Sequence, residues 1–251
     1  MGDDIPGLAR PDGEDASIIR ERKSTMSDIK DHKRVNDILL GPLERPALQW
    51  LAAHLPGWVT PDIMTVTGII GALIILLSYG LSQLHPAFLW LATFGFIVNW
   101  FGDSLDGTLA RYRHIERPKY GFYIDHVTDV LTEIIIIIGL GLTPYIRLTV
   151  ASLCCIAYIS MSVLVYIRMN VMGEFKISYS KLGPTEVRLL AIILNTGMFF
   201  GGITSFKLSL GAFTAAINPY ELFVTGITLL LVYFFTETSI KQSILLRNLG
   251  E

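Results

Sequence analysis

The chain has 251 residues, 51% of them hydrophobic and 17% charged, and a mean hydropathy of +0.51. That composition excludes an ordinary soluble domain; the formal net charge of −2 says nothing about nucleic acid, but no basic stripe of the kind that binds it is present. The two cysteines, Cys154 and Cys155, are adjacent in an apolar run, which suits small buried hydrophobes rather than a disulfide or a metal site.

Residues 1–37 are polar and mixed in charge, and they read as a mobile cytoplasmic tail. No apolar core precedes Ile38, so no signal peptide is expected. Pro6 occupies the hydroxyl position of the myristoylation pattern, which rules out that anchor. Residues 38–56 suggest an amphipathic helix with a stripe of Leu40, Leu43, Ala47, Leu51 and Leu55 and with Trp50 beside it. Glu44, Arg45, Gln49 and His54 fall mostly elsewhere. Too short and polar to span, this helix is expected to lie on the cytoplasmic interface or to pack on the end of a bundle. Pro42 is placed to start it and Pro46 to strain it.

Six apolar runs follow, at about 62–80, 87–105, 121–142, 145–170, 187–206 and 220–236, each near the roughly 20 residues needed to cross a bilayer. The expected fold is therefore all-α: a polytopic membrane protein with six transmembrane helices over 57–240 and a tail at 241–251. Lysine and arginine orient it. Eighteen lie in 1–61, the second and fourth connections and the C-terminal tail, against only Arg147 and Lys207 on the other side. The positive-inside rule puts both termini and the second connection in the cytoplasm.

Thr60-Pro61-Asp62 is a good helix start, with Thr65 one turn on. The densest chemistry comes next, in Asn99-Trp-Phe-Gly-Asp-Ser-Leu-Asp-Gly-Thr-Leu-Ala-Arg and, beyond a basic link, Gly121-Phe-Tyr-Ile-Asp-His-Val-Thr-Asp. At 100° per residue Asp103, Gly107 and Ala110 share a face, with Asp106 beside it. Gly121, Asp125 and Asp129 share another. A short link makes the helices antiparallel neighbours, so four carboxylates can converge. Carboxylate oxygens suit Mg²⁺ or Mn²⁺, and two ions fit between four acids. Small residues leave a groove open beside them, and Arg111 offers a fork of donors for phosphate.

These eight positions (Asp103, Asp106, Gly107, Ala110, Arg111, Gly121, Asp125 and Asp129) resemble the signature of the class I CDP-alcohol phosphotransferases. Nine residues separate Arg111 from Gly121, slightly more than is usual in the family. The resemblance implies that Asp103, Asp106, Asp125 and Asp129 hold two Mg²⁺ or Mn²⁺ ions. It also implies that Gly107, Ala110, Arg111 and Gly121, with Asp62 and Thr65 before them, line the site of a CDP-linked donor. Family members often carry asparagine where this chain has Asp62. Asp129 is the expected catalytic base for an alcohol or lipid acceptor, with CMP released and a phospholipid formed. The donor is expected to be CDP-diacylglycerol, with a CDP-choline or CDP-ethanolamine type of transfer to a lipid alcohol as the alternative. Asp125-His126 and Pro184-Thr-Glu-Val hint at that second branch. The expected setting is a bacterial inner membrane, with membrane lipids as partners, no nucleic acid, and a homodimer left open.

Other residues admit blander roles. Asn99 and Glu133 extend the polar face deeper, and Glu133 is expected to bond Asn99 or Thr132. His126 is expected to pack or to support a neighbour rather than to ligate. Gly183-Pro184 reads as a turn and Glu186 as a first-turn acid suiting the helix dipole. Of Arg168, Lys176, Lys181 and Arg188, most suit anionic lipid and one or two suit substrate. Intramembrane acids also mark ion paths, so a cation or proton transporter is the second alternative. Against it, Ile134–Ile138 is a solid apolar run with no polar track beyond Glu133.

Overall fold

The computed structural model describes residues 40–172, 183–210 and 213–249. Seven helices occupy most of these residues: α1 Gly41–His54, α2 Pro61–Leu81, α3 Phe88–Tyr112, α4 Pro118–Leu140, α5 Leu148–Met172, α6 Pro184–Gly201 and α7 Pro219–Leu249. Between α6 and α7 the strands β1 Phe206–Leu210 and β2 Phe213–Ile217 pair antiparallel, with Phe206 opposite Ile217 and Leu210 opposite Phe213. An all-α fold is therefore corrected by this one ribbon. The expected fifth span ends early, at Gly202, whose φ of +62° is left-handed and suits glycine. The last helix instead outruns its expected end and continues through most of the predicted tail. Residues 1–37, Lys176 and Lys181, which entered the charge argument, lie outside the described residues.

Among the described residues four helices, α2, α3, α5 and α7, are long and apolar enough to cross a membrane. Their outward surfaces are apolar as well. Val66, Ile70, Leu73 and Leu77 on α2 are all exposed, as are Leu153, Ile156 and Val163 on α5. In water such faces would be covered, whereas in lipid they are at home.

Glycine brings α2 and α3 together. A methyl group on Gly102 would strike the backbone of Met64 and Gly68, and one on Gly71 would strike the backbone of Asn99. With no side chain at these points the two backbones touch, the packing that membrane helices favour. Thr60 caps the start of α2, accepting from the Ile63 amide at 3.2 Å, as its sequence promised.

Two apolar clusters fill the interior. One gathers Ile75, Tyr79, Leu89, Ala92, Phe96, Tyr145 and Met198 from four segments, and the other holds Leu48, Ala52, Val59, Met64, Leu105 and Leu109 beneath α1. Along α3, Asn99 and Asp103 fall between Phe96 of the first cluster and Leu105 of the second. At the end of the bundle away from α1, Asn218 donates to the Tyr145 carbonyl at 2.6 Å and Arg147 pairs with Glu221 at 2.8 Å.

The helix at 38–56 is present but rotated from its expected stripe. Leu43 and Ala47 are exposed, while Leu48 and Ala52 are buried, with Leu51 and Leu55 packed at their flank. Glu44 therefore lies on the inward face, one turn before Leu48. Both cysteines are buried and free, as expected.

Candidate active site

α3 and α4 run past each other after a link of five residues, in which His114 takes a left-handed φ of 55°. That turn brings Asp103 of α3 against Asp125 and Asp129 of α4. One carboxylate oxygen from each lies within 4.8 Å of the other two. Three hard oxygen donors at this spacing fit a divalent cation, which would sit in their midst with positions left for water or phosphate.

Asp106 does not join the trio, contrary to a four-way convergence. Its Oδ2 accepts from the Thr65 hydroxyl at 2.7 Å and its Oδ1 from the Gly107 amide at 2.5 Å, which turn it toward α2. It remains close enough to Asp103 and Asp125 to feel both charges. Thr65, Gly68, Asn99, Asp103, Asp106 and Thr128 line a small cleft at this junction.

Arg188 of α6 supplies the positive charge. Its Nη2 donates to Asp103 Oδ2 at 2.6 Å and its Nε to Asn99 Oδ1 at 2.8 Å, and both members of the ion pair are largely sheltered. Asn99 in turn donates to the Gly68 carbonyl at 2.9 Å. The amide is thus clamped between α2 and α6. The sequence set Arg188 among four cations, most suited to anionic lipid and one or two to substrate. The available signal was a lone arginine one turn inside an apolar helix, a place where a charge needs a partner.

The remaining predicted residues are spread around the cleft. Asp62 pairs with Arg117 at 2.5 Å at the exposed starts of α2 and α4, where its carboxylate holds the Arg117 guanidinium above its ordinary pKa. Gly107 leaves room that only the Arg111 guanidinium approaches, and nothing stands within 4 Å of a methyl group built on Gly121. Arg111 reaches only Thr108 Oγ1, at 3.2 Å, among the bonds of its side chain, and Ala110 is half-buried behind it.

Glu133 does not bond Asn99 or Thr132 as expected. The Tyr158 and Ser162 hydroxyls of α5 donate to it instead. The expectation searched along α3 and α4, whereas the partners come from a helix whose polar residues are scattered in sequence. His126 places Nδ1 3.3 Å from its neighbour Asp125 and stacks its ring on Phe122, with centroids 4.0 Å apart. That is the supporting role expected of it. Glu186 accepts from the Gly183 amide at 2.9 Å, capping α6, and also from the Leu40 amide at 2.8 Å.

With this geometry in view, residues 58–238 match the model of the family described as CDP-alcohol phosphatidyltransferase. The chain is also 24% identical to human cholinephosphotransferase 1 over 172 residues, which cover 64% of this chain and 42% of the relative. The chain thus spans less than half the length of the curated relative it matches.

Proposed function

Because the chain belongs to the CDP-alcohol phosphatidyltransferase family, we propose that it is a phospholipid-synthesising transferase. It moves a substituted phosphate from a CDP-linked donor to an alcohol hydroxyl and releases CMP. The observation that carries this reading is the meeting of Asp103, Asp125 and Asp129, one carboxylate oxygen of each within 4.8 Å of the other two.

Asp103, Asp106, Asp125 and Asp129 would hold two Mg²⁺ or Mn²⁺ ions, which when bound supply Lewis-acid stabilisation of negative charge on the diphosphate and on the attacking and leaving oxygens. Without metal, Thr65 and the Gly107 amide hold Asp106 toward α2 at the edge of the cluster, and in this reading it swings in to complete the ligand set. Gly107, Ala110 and Gly121 let the nucleotide lie close to the backbone, and Arg111 offers its planar fork to phosphate oxygens. Asp129, the deepest carboxylate of the motif, takes the proton from the attacking hydroxyl. Arg188 holds Asp103 in place and brings a positive charge to the side where phosphate arrives.

In this reading α2 to α7 are six spans, α1 lies on the membrane surface, and the carboxylates face the cytoplasm. The distribution of lysine and arginine supports that sidedness. Donor and acceptor are the CDP-linked compound and a free or lipid alcohol, and a homodimer is the proposed assembly.

CDP-diacylglycerol is the first donor proposed, as the commoner one among the bacterial members of the family. A second reading, transfer from a CDP-aminoalcohol to a lipid alcohol, is favoured by the likeness to human cholinephosphotransferase 1 and by Asp125-His126 and Pro184-Thr-Glu-Val. Radiolabelled CDP-diacylglycerol, CDP-choline and CDP-ethanolamine, each offered to the purified chain with candidate acceptors, decide between them. CMP release that requires Mg²⁺ or Mn²⁺ with one donor class supports the corresponding reading. Ion flux in liposomes without any nucleotide turnover would replace both with a transporter.

A further inference from the structure

One oxygen of Glu44 accepts three hydrogen bonds. Its Oε1 takes the Trp100 indole N–H at 2.7 Å, the Thr185 hydroxyl at 2.9 Å and the Ser104 hydroxyl at 3.2 Å. Trp100 and Ser104 belong to α3, and Thr185 opens α6. Ser104 is the residue after Asp103, and Thr185 lies three residues before Arg188, which donates to Asp103. Glu44 therefore grips, from outside the spanning helices, both elements that meet at Asp103. The neighbouring Glu186 ties the start of α1 to the start of α6 by accepting from the Leu40 and Gly183 amides.

We propose that Glu44 is a positioning residue for the aspartate cluster: it fixes α6 against α3, and through Thr185 and Ser104 it sets Arg188 against Asp103. Three donors on one oxygen call for a full negative charge. A glutamine amide keeps the shape, but its oxygen is a weaker acceptor and its NH₂ group turns further donors toward donors. Seating of the peripheral helix and competence of the carboxylates are then one event. This inference rests on reading the cluster as a divalent-cation site.

The test uses the full chain purified in detergent, with free Mn²⁺ followed by electron paramagnetic resonance and Tm measured without metal. Glu44→Gln is expected to weaken Mn²⁺ binding about tenfold, the lower end for residues that orient metal ligands. Thr185→Val weakens it in the same direction, and the double variant is no worse than Glu44→Gln. In metal-free chain the Tm losses of Glu44→Gln and Arg188→Met add to more than the loss of their double variant, because the first already loosens what the second removes. Should Glu44→Gln not fold, Thr185→Val takes its place in both measurements. Unchanged Mn²⁺ affinity together with additive Tm losses overturns the proposal and leaves Glu44 a strut. A wild type that binds no Mn²⁺ overturns the metal reading alone, and the Tm cycle then decides on Glu44.

Discussion

Arg188 and Asp103, from helices 85 residues apart in sequence, form a 2.6 Å ion pair at the edge of the three-carboxylate cluster. The pair partly offsets the repulsion among Asp103, Asp125 and Asp129. Arg188→Met should therefore lower the stability of metal-free chain by about 3 kcal/mol, the loss expected when one partner of a sheltered pair is removed. Added Mg²⁺ should raise Tm more in this variant than in wild type, since the cation then supplies the missing positive charge. Thermal unfolding with and without Mg²⁺ checks both.

Metal binding itself predicts a shift. If the trio holds a divalent ion only in the folded chain, saturation at a hundredfold above Kd stabilises by about 2.7 kcal/mol. Mn²⁺ should raise the Tm of wild type and have little effect on Asp125→Asn. A chelator should abolish CMP release, and Mn²⁺ should restore it.

Asp129→Asn separates base from ligand. As general base, Asp129 should govern turnover, so kcat falls at least a hundredfold, while Mn²⁺ and CDP binding fall far less. Equal losses in all three would make Asp129 a ligand alone. Single-turnover CMP release beside equilibrium binding provides the comparison.

Two arginines at the end of α3 should behave oppositely. Arg113 donates to the carbonyls of Leu55 at 3.0 Å, Pro56 at 2.9 Å and Val59, and so ties down the segment between α1 and α2. Arg113→Ala should cost about 2 kcal/mol of stability, since charge-assisted bonds to the backbone are lost. Arg111, exposed on α3 one turn beyond Gly107, should cost less than about 0.5 kcal/mol as alanine yet raise KM for the CDP-linked donor. Melting curves and donor titrations on the two variants distinguish the roles.

Much of this was legible in the sequence because it follows from local spacing. Asp103, Asp125 and Asp129 recur at helical intervals in two segments joined by a short link, and a short link leaves little choice but to pack them side by side. The Thr60 cap is equally local. What escaped depends on which helices meet across long separations. Asp106 was counted with the trio because its angular position allows it, but the Thr65 hydroxyl of another helix draws it aside. Which side of α1 meets the bundle was not legible in its apolar stripe: the carboxylate of Glu44, with donors waiting on α3 and α6, turns Leu48 and Ala52 inward and leaves Leu43 and Ala47 exposed. The paired strands Phe206–Leu210 and Phe213–Ile217 fall almost wholly in the connection between the fifth and sixth expected runs, where hydropathy marks only what can cross a bilayer and carries no signal for strand pairing.

At Gly71 and Gly102, main chain rests on main chain, with no flexible group in between to absorb a displacement. Thr65 and Asp106 thus keep their separation by rigid contact rather than by adjustable packing. Lipid-facing positions such as Val66, Leu73 and Leu77 are free to drift toward whatever acyl environment the organism maintains. The seam behind them tolerates almost no variation, and an alanine at either glycine should pry the two rods apart and disable the chain in every bilayer alike.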